Sequence, residues 1–325
     1  MAFSFTKRKR LRSGNEGVGC VRDTMKVMLH ELAATDPSLV AIIDDTGFQV
    51  FEEFEEKFPS QFYNVGIAEQ QFIGLAAGLA LEGMHVVLYN VCNFYIRAME
   101  QIRVDLAYQQ LGVVMIGVGG GLYYGTQGPT HHGTEDITLF RALPNMRIIC
   151  PADPIEMRAL FYASVHDQKP TYIRICKNND PVLHGKPIDI CIGQSIVMRE
   201  GEDAAIIATG GMVREALKVA QLLVQYNINI RIVSMHTIKP VDINMIIECA
   251  RFPALFTMEE NSLVGGLGSC VTEILSIHGV CPKIFRMFGF PDAFAPVTGT
   301  RDYLNTLFGL DAPSMVDVIQ HSLRY

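Results

Sequence analysis

At 325 residues the chain is long for one compact core, which points to two domains of ordinary size. Its 49% apolar and 19% charged residues suit a soluble α/β protein with large buried sheets, and a net charge of −7 argues against nucleic acid or an anionic membrane as the main partner. Cys20, Cys92, Cys150, Cys176, Cys191, Cys249, Cys270 and Cys281 form no CxxC pair, so neither zinc nor a disulfide framework is expected and a reducing cytoplasm is the default compartment.

In chain order, the start lacks the charged-then-apolar sequence of a signal peptide, and no apolar run reaches membrane length. The basic run Lys7-Arg8-Lys9-Arg10 with Arg12 reads as a solvated tail, with a targeting or polyanion-binding arm as the other option. Short β-branched runs then alternate with helical patterns, the rhythm of a mostly parallel sheet covered by helices. Strands are predicted at 39–43, 85–89, 113–116, 146–149 and 171–175, with helices near 21–34, 68–82, 94–110 and 154–166. Asp153-Pro154 supplies an N-cap and a first-turn proline for the last of these. Residues 177–193, with Asn178, Asn179, Pro181, Gly185 and Pro187, read as a linker. The rhythm restarts with strands at 204–208, 230–233, 254–258 and 283–287 and helices near 213–226 and 266–278. The expectation is an α/β chain of two domains, 15–180 and 193–325, each a mostly parallel sheet flanked by helices.

Three stretches carry chemistry. The first, Tyr63-Asn64-Val65-Gly66-Ile67-Ala68-Glu69-Gln70-Gln71, turns at Gly66 into a helix whose Gly74 and Gly78 share one face. Each glycine costs about 1 kcal/mol against alanine, so close packing against another backbone is expected there. Glu69 in the first turn could simply complement the helix dipole. The second, Asn93-Phe94-Tyr95-Ile96-Arg97-Ala98-Met99, follows a strand at the carboxyl edge where open α/β sheets bind ligands. Its aromatic residues could stack on a flat ring or belong to the core. The third runs from Gly117 to Asp136 and contains Gly125-Thr126-Gln127-Gly128-Pro129-Thr130-His131-His132. Its glycines suit positive φ or close approach to a ligand. Adjacent histidines point in different directions, so one at most faces a given ligand, as proton shuttle or as hydrogen-bonding scaffold. No further ligand falls at helical spacing, so no metal is assigned to this chain.

Together these stretches, with Phe140-Arg141-Ala142-Leu143-Pro144-Asn145-Met146 and Pro151-Ala152-Asp153, resemble the pyrimidine-binding domain of transketolases. Met258-Glu259-Glu260-Asn261-Ser262 through Gly268-Ser269 is similar to the C-terminal domain of the same family. The resemblance implies thiamine diphosphate as cofactor. Glu69 matches the glutamate that hydrogen-bonds a ring nitrogen of the aminopyrimidine and favours the tautomer able to remove the thiazolium proton. Phe94 matches the aromatic residue stacked on that ring, beside Ile67 and Arg97 as cofactor-binding positions. His131 matches the histidine that contacts substrate oxygens.

Departures from the family pattern bear on the substrate. Gln127 stands where an acidic residue selects sugar hydroxyls, and an amide both donates and accepts. Gly119 replaces a histidine of many transketolases. Gly120 replaces a phosphate-binding arginine of 1-deoxyxylulose-5-phosphate synthases, which Arg97 nonetheless resembles. Arg22 and Lys177 align with phosphate-binding arginines, although a surface salt bridge is an equal reading of each. No Gly-Asp-Gly occurs in the chain, the motif that in this family holds the diphosphate and Mg²⁺. A separate subunit, the N-terminal half of a transketolase, is therefore expected to hold both, in a heterotetramer with cofactor at subunit interfaces. The expected reaction is transfer of a two-carbon ketol unit between sugars or sugar phosphates. Other readings are the beta subunit of a 2-oxo acid dehydrogenase decarboxylating component, a 1-deoxyxylulose-5-phosphate synthase-like enzyme, and a regulatory assembly subunit without catalysis. Retention of Glu69, Phe94 and His131 argues against the last.

Overall fold

The computed structural model describes residues 20–177, 181–185 and 188–324. The basic run Lys7–Arg12, residues 15–19 and residues 178–180 of the expected first domain, and Tyr325 of the second lie outside the described residues. The chain runs α1 (Val21–Ala33), β1 (Leu39–Ile43), α2 (Glu52–Lys57), β2 (Phe62–Asn64), α3 (Glu69–Leu81) and β3 (His85–Val91). It continues through α4 (Met99–Gln101), β4 (Val113–Val118), α5 (Asp136–Ala142), β5 (Arg147–Ile149), α6 (Pro154–His166) and β6 (Thr171–Ile175). After the connection come β7 (Ile196–Arg199), β8 (Ala204–Ala208), α7 (Met212–Leu223), β9 (Ile230–Ser234), β10 (Thr237–Lys239) and α8 (Ile243–Cys249). The last elements are β11 (Leu255–Ser262), α9 (Leu267–Ile277), β12 (Phe285–Phe290), α10 (Arg301–Leu307) and α11 (Ala312–Leu323).

The strands form a seven-stranded sheet of order β10-β5-β6-β4-β3-β1-β2 and a five-stranded sheet of order β12-β11-β8-β9-β7. Pairing is parallel except for β10 on β5 and β7 on β9. The central strands β1, β4 and β6 are buried at every position, which explains why they are continuous apolar runs and not alternating ones. Two apolar layers cover the faces of each sheet.

Several elements differ from the sequence expectation. The predicted helix over 94–110 is a succession of a 3₁₀ run (Phe94–Ala98), α4 and a π-helical run (Ile102–Tyr108). Gly74 and Gly78 do not pack against another backbone among the described residues, because a Cβ at either would meet nothing within 4 Å. Strand β11 runs on through Glu259, Glu260 and Asn261, whose charges and amide suggested a strand end at Met258; all three are buried and Glu259 accepts from Leu267 N and Gly268 N at 2.7 and 2.8 Å. The connecting segment is tied down: Leu183 N and His184 N donate to the N-cap Asp153 at 2.8 and 3.0 Å, and His184 pairs with Glu156 at 3.1 Å. Strand β10, from the second half of the chain, completes the edge of the first sheet, so the two halves share strand pairing as well as packing.

The ion pair of Arg174 on β6 with Asp136 at the start of α5 is 2.8 Å long and buried on both sides. Removing one partner of such a pair costs about 3–5 kcal/mol because the other charge is left buried alone. Asp136→Ala is therefore expected to lower the urea midpoint of the chain strongly. Lys57→Ala, which breaks the exposed pair with Glu53, is expected to leave that midpoint nearly unchanged.

Candidate active site

The parallel strands of the first sheet place their carboxyl ends along one edge, where α/β sheets present ligand-binding loops. Asp44 follows β1, the Gly66–Glu69 turn follows β2, Asn93 and Phe94 follow β3, the glycine-rich loop follows β4, and Lys177 follows β6. At the turn, the Asn64 side chain accepts from Asp45 N and from Gly66 N at 3.0 Å each, and Gly66 adopts φ +71°, a left-handed conformation that favours glycine. This turn delivers Glu69 as the first residue of α3.

Glu69, Asn93, Phe94, Ile96, Arg97 and Thr130 bound an open cavity of about 650 Å³. The Glu69 side chain is only 14% exposed, while Arg97, with Nε 4.0 Å from Glu69 Oε1, is 75% exposed. The rings of Phe94 and His131 meet edge to face at 5.2 Å between centroids. Thr130 joins the two sides of the cavity: its carbonyl accepts from Asn93 Nδ2 at 2.8 Å, and its hydroxyl lies 2.9 Å from His131 Nδ1. Ile67, next to this cavity in the chain, is 82% exposed.

The two histidines separate as their adjacency suggests. His132 is buried with Nε2 3.4 Å from Gly125 O, and burial lowers its pKa. His131 is half-buried at the cavity side. Beyond it, Tyr124 collects the remaining candidates. Its ring is 6.1 Å from His131, and the Lys177 ammonium sits 4.3 Å from the ring centroid. Burial raises the Tyr124 pKa and the charge of Arg22 opposes that shift. Arg22 Nε is buried and has no hydrogen-bond partner among the described residues. Gln127 is exposed at the end of the 3₁₀ turn Gly125–Gln127. Glu69, Phe94, Arg97 and His131 thus form one group, and Arg22, Lys177 and Tyr124 an adjoining one. Among the described residues no cluster of three or more His, Cys, Asp or Glu side chains is arranged to hold a metal ion.

Sequence reasoning passed over Asp44, which directly follows β1. Its carboxylate is buried, accepts from Thr46 Oγ1 at 3.0 Å and from Asn90 Nδ2, and shares Thr46 with the carbonyl of Tyr89. Burial first, and the negative charge of Glu69 after it, push its pKa up to about 7. A carboxyl group at the carboxyl end of a central strand was the available signal. Because its folded pKa lies above the ordinary 3.8, the stability linked to its proton is complete below 3.8 and is lost as pH rises through about 7. In Asp44→Asn the new amide can donate to Thr46 while Thr46 donates to Tyr89, and no charge forms at any pH. The variant is expected to gain in thermal midpoint over the parent at about pH 8 and not at about pH 4. An equal difference at both pH values would contradict this burial argument.

Comparison with known proteins places both halves of the chain in one family. Residues 21–181 match the transketolase pyrimidine-binding domain, and residues 193–315 match the transketolase C-terminal domain. The chain is 36% identical over 301 residues to one of the subunits of the apulose-4-phosphate transketolase of Phocaeicola vulgatus, covering 91% of this chain and 95% of that one. It is 35% identical over 305 residues to 1-deoxy-D-xylulose-5-phosphate synthase of Aquifex aeolicus, with 91% of this chain covered but only 47% of that protein, so it spans about half of that relative. A solved split-gene transketolase, described as an inactive beta4 tetramer, superposes with a TM-score of 0.86 at 33% identity over 95% of this chain and 99% of that one. The chain belongs to the transketolase family, as a subunit made of its pyrimidine-binding and C-terminal domains.

Proposed function

We propose that this subunit binds the aminopyrimidine end of thiamine diphosphate and selects the ketose, while a different subunit holds the diphosphate and its Mg²⁺. The observation that carries this reading is the half-built cavity. Glu69, Phe94 and Thr130 line it and it is open to solvent, while Ile67 in the preceding turn and Gly74 and Gly78 on α3 are themselves exposed. The sequence contains no Gly-Asp-Gly, the motif that in the family holds the diphosphate and its Mg²⁺. The similarity to a split-gene transketolase described as an inactive beta4 tetramer supports both self-association and dependence on a second chain for activity.

The residues fit the cofactor's ring. Phe94 offers an aromatic face to a flat heterocycle, and the largely shielded carboxylate of Glu69 can hold a proton against a ring nitrogen. Bound thiamine diphosphate supplies the electron sink for cleaving the bond beside a ketose carbonyl. The protein side of that chemistry is proton placement and orientation. Engagement of His131 Nδ1 with Thr130 leaves Nε2 to exchange a proton or hydrogen bond with a ketose oxygen. Gln127 contacts sugar hydroxyls from the loop, and Arg22 with Lys177 receives an acceptor phosphate beside Tyr124. Arg97 flanks Glu69 and is free to swing toward the cofactor. The subunit transfers a two-carbon ketol unit between sugars or sugar phosphates, within a heterotetramer of two copies of each subunit in the cytoplasm. Burial of all cysteines but Cys191 and Cys281 suits that reducing compartment.

In the enzyme reconstituted with its partner, Glu69→Gln is expected to fold with an unchanged midpoint and to turn over about 10²–10⁴-fold more slowly, as loss of a positioned proton-transfer group does. Comparable turnover would sink the assignment of Glu69. Ile67→Asp places a charge where an apolar contact with the partner is needed, and is expected to weaken association at least tenfold in sedimentation velocity while leaving the isolated chain folded. Unaltered association would remove this face from the interface.

A further inference from the structure

The loop from Gly119 to Gly133 carries Gln127 and His131, and the C-terminal half of the chain grips it from outside the cavity. Arg301, the first residue of α10, donates Nε and Nη2 to the two carboxylate oxygens of Glu260 at 2.8 and 2.9 Å. Asn305 adds a bond to Glu260 at 3.0 Å, and all three side chains are withdrawn from solvent. The fork geometry fixes the plane of the guanidinium. That guanidinium lies 4.5 Å from the centroid of the Tyr123 ring. Tyr123 leads into Tyr124, whose ring borders His131.

The backbone of the loop is fitted to the same surface. Gly299 N donates to Gly125 O at 3.3 Å. A Cβ on Gly125 would stand 2.5 Å from Gly299 O and 2.8 Å from Leu304 Cδ1, and one on Gly121 would stand 2.7 Å from Glu260 Cβ. The approach of the C-terminal domain thus calls for glycine at 125, and at 121 it adds to the demand of a left-handed φ of +72°. Neither Glu260 nor Arg301 lines the cavity bounded by Glu69 and Phe94.

We infer that Arg301 is a positioning residue for the substrate side of the site: clamped by Glu260, it holds Tyr123 and so sets the turn that presents Gln127 and His131. The C-terminal domain thereby governs ketose binding without touching the cofactor ring. This rests on the transketolase reading of the loop. A buried carboxylate left alone could unfold the chain, so the test removes both charges together, as Glu260→Gln with Arg301→Met, and separately removes only the ring, as Tyr123→Leu.

Two readouts are compared with the parent. In the full chain alone, the imidazole resonances of His131 are followed by NMR. In the reconstituted complex, KM for the donor ketose, kcat and the Kd of thiamine diphosphate are measured. Expected in both variants are displaced His131 resonances and a ketose KM raised about tenfold or more, the scale of a small misplacement of a contact group, with cofactor Kd unchanged. Arg301→Lys, which keeps the charge but loses the fork, is expected to fall between. Parent-like His131 resonances and ketose KM in folded Tyr123→Leu would overturn the inference, even if the charge variant failed to fold. A complex that transfers no ketol unit would overturn the functional reading instead, and the His131 resonances would still decide whether Arg301 positions the loop.

Discussion

A guanidinium taken out of water needs partners for its N–H groups, and Arg174 at the end of β6 finds them in three separate parts of the chain. Its Nε donates to Asp136 at 2.8 Å, and its Nη2 donates to Gly133 O and to Glu260 O, each at 2.7 Å. One side chain therefore ties a central strand to the start of α5, to the far end of the glycine-rich loop and to a central strand of the second sheet. Tyr172 reinforces Asp136 with a hydrogen bond at 2.6 Å. Gly120 is dictated by this arrangement, since a Cβ there would lie 2.5 Å from Arg174 Nε. The loop is held at its root by one buried arginine and at its tip side by another, Arg301. A long glycine-rich segment would otherwise lose a large conformational entropy on being ordered, with little to offset it.

Much of this architecture was legible in the sequence because parallel strands buried on both faces announce themselves as β-branched runs. The strands at 39–43, 171–175 and 204–208 have the expected bounds. Much of what escaped is short or depends on tertiary contacts, although the twelve-residue α11 (Ala312–Leu323) was not predicted either. Strands β2 and β10 have three residues each, too few for periodicity, and β10 gains its partner from the other half of the chain. Helix α5 was hidden behind the loop, although Asp136 caps nothing and is there for Arg174. Local pattern also ended β11 too early, because buried charges in a strand make sense only once Arg301 and the amino end of α9 are in place.

The site divides in the same way. Glu69, Phe94 and His131 sit in recognisable local motifs, and the fold brings Glu69 and Phe94 to one cavity with His131 against the Phe94 ring. Asp44 carries no motif; its perturbed acidity comes from burial and from neighbours that only folding assembles. Gly74 and Gly78 were expected to serve a close approach of another backbone, but among the described residues a Cβ on either would meet nothing within 4 Å. Under the proposed division of the site between subunits, the exposed glycines of α3 and exposed Ile67 are where the partner would pack.

The direct test of that half-site is calorimetric titration of thiamine diphosphate with Mg²⁺ into the purified chain, into its partner subunit, and into the two mixed. A site divided between subunits requires no saturable binding to this chain alone and tight, Mg²⁺-dependent binding to the mixture, one cofactor per pair of unlike subunits. Tight Mg²⁺-dependent binding to this chain by itself would show that it carries the diphosphate site after all and would contradict the division proposed here.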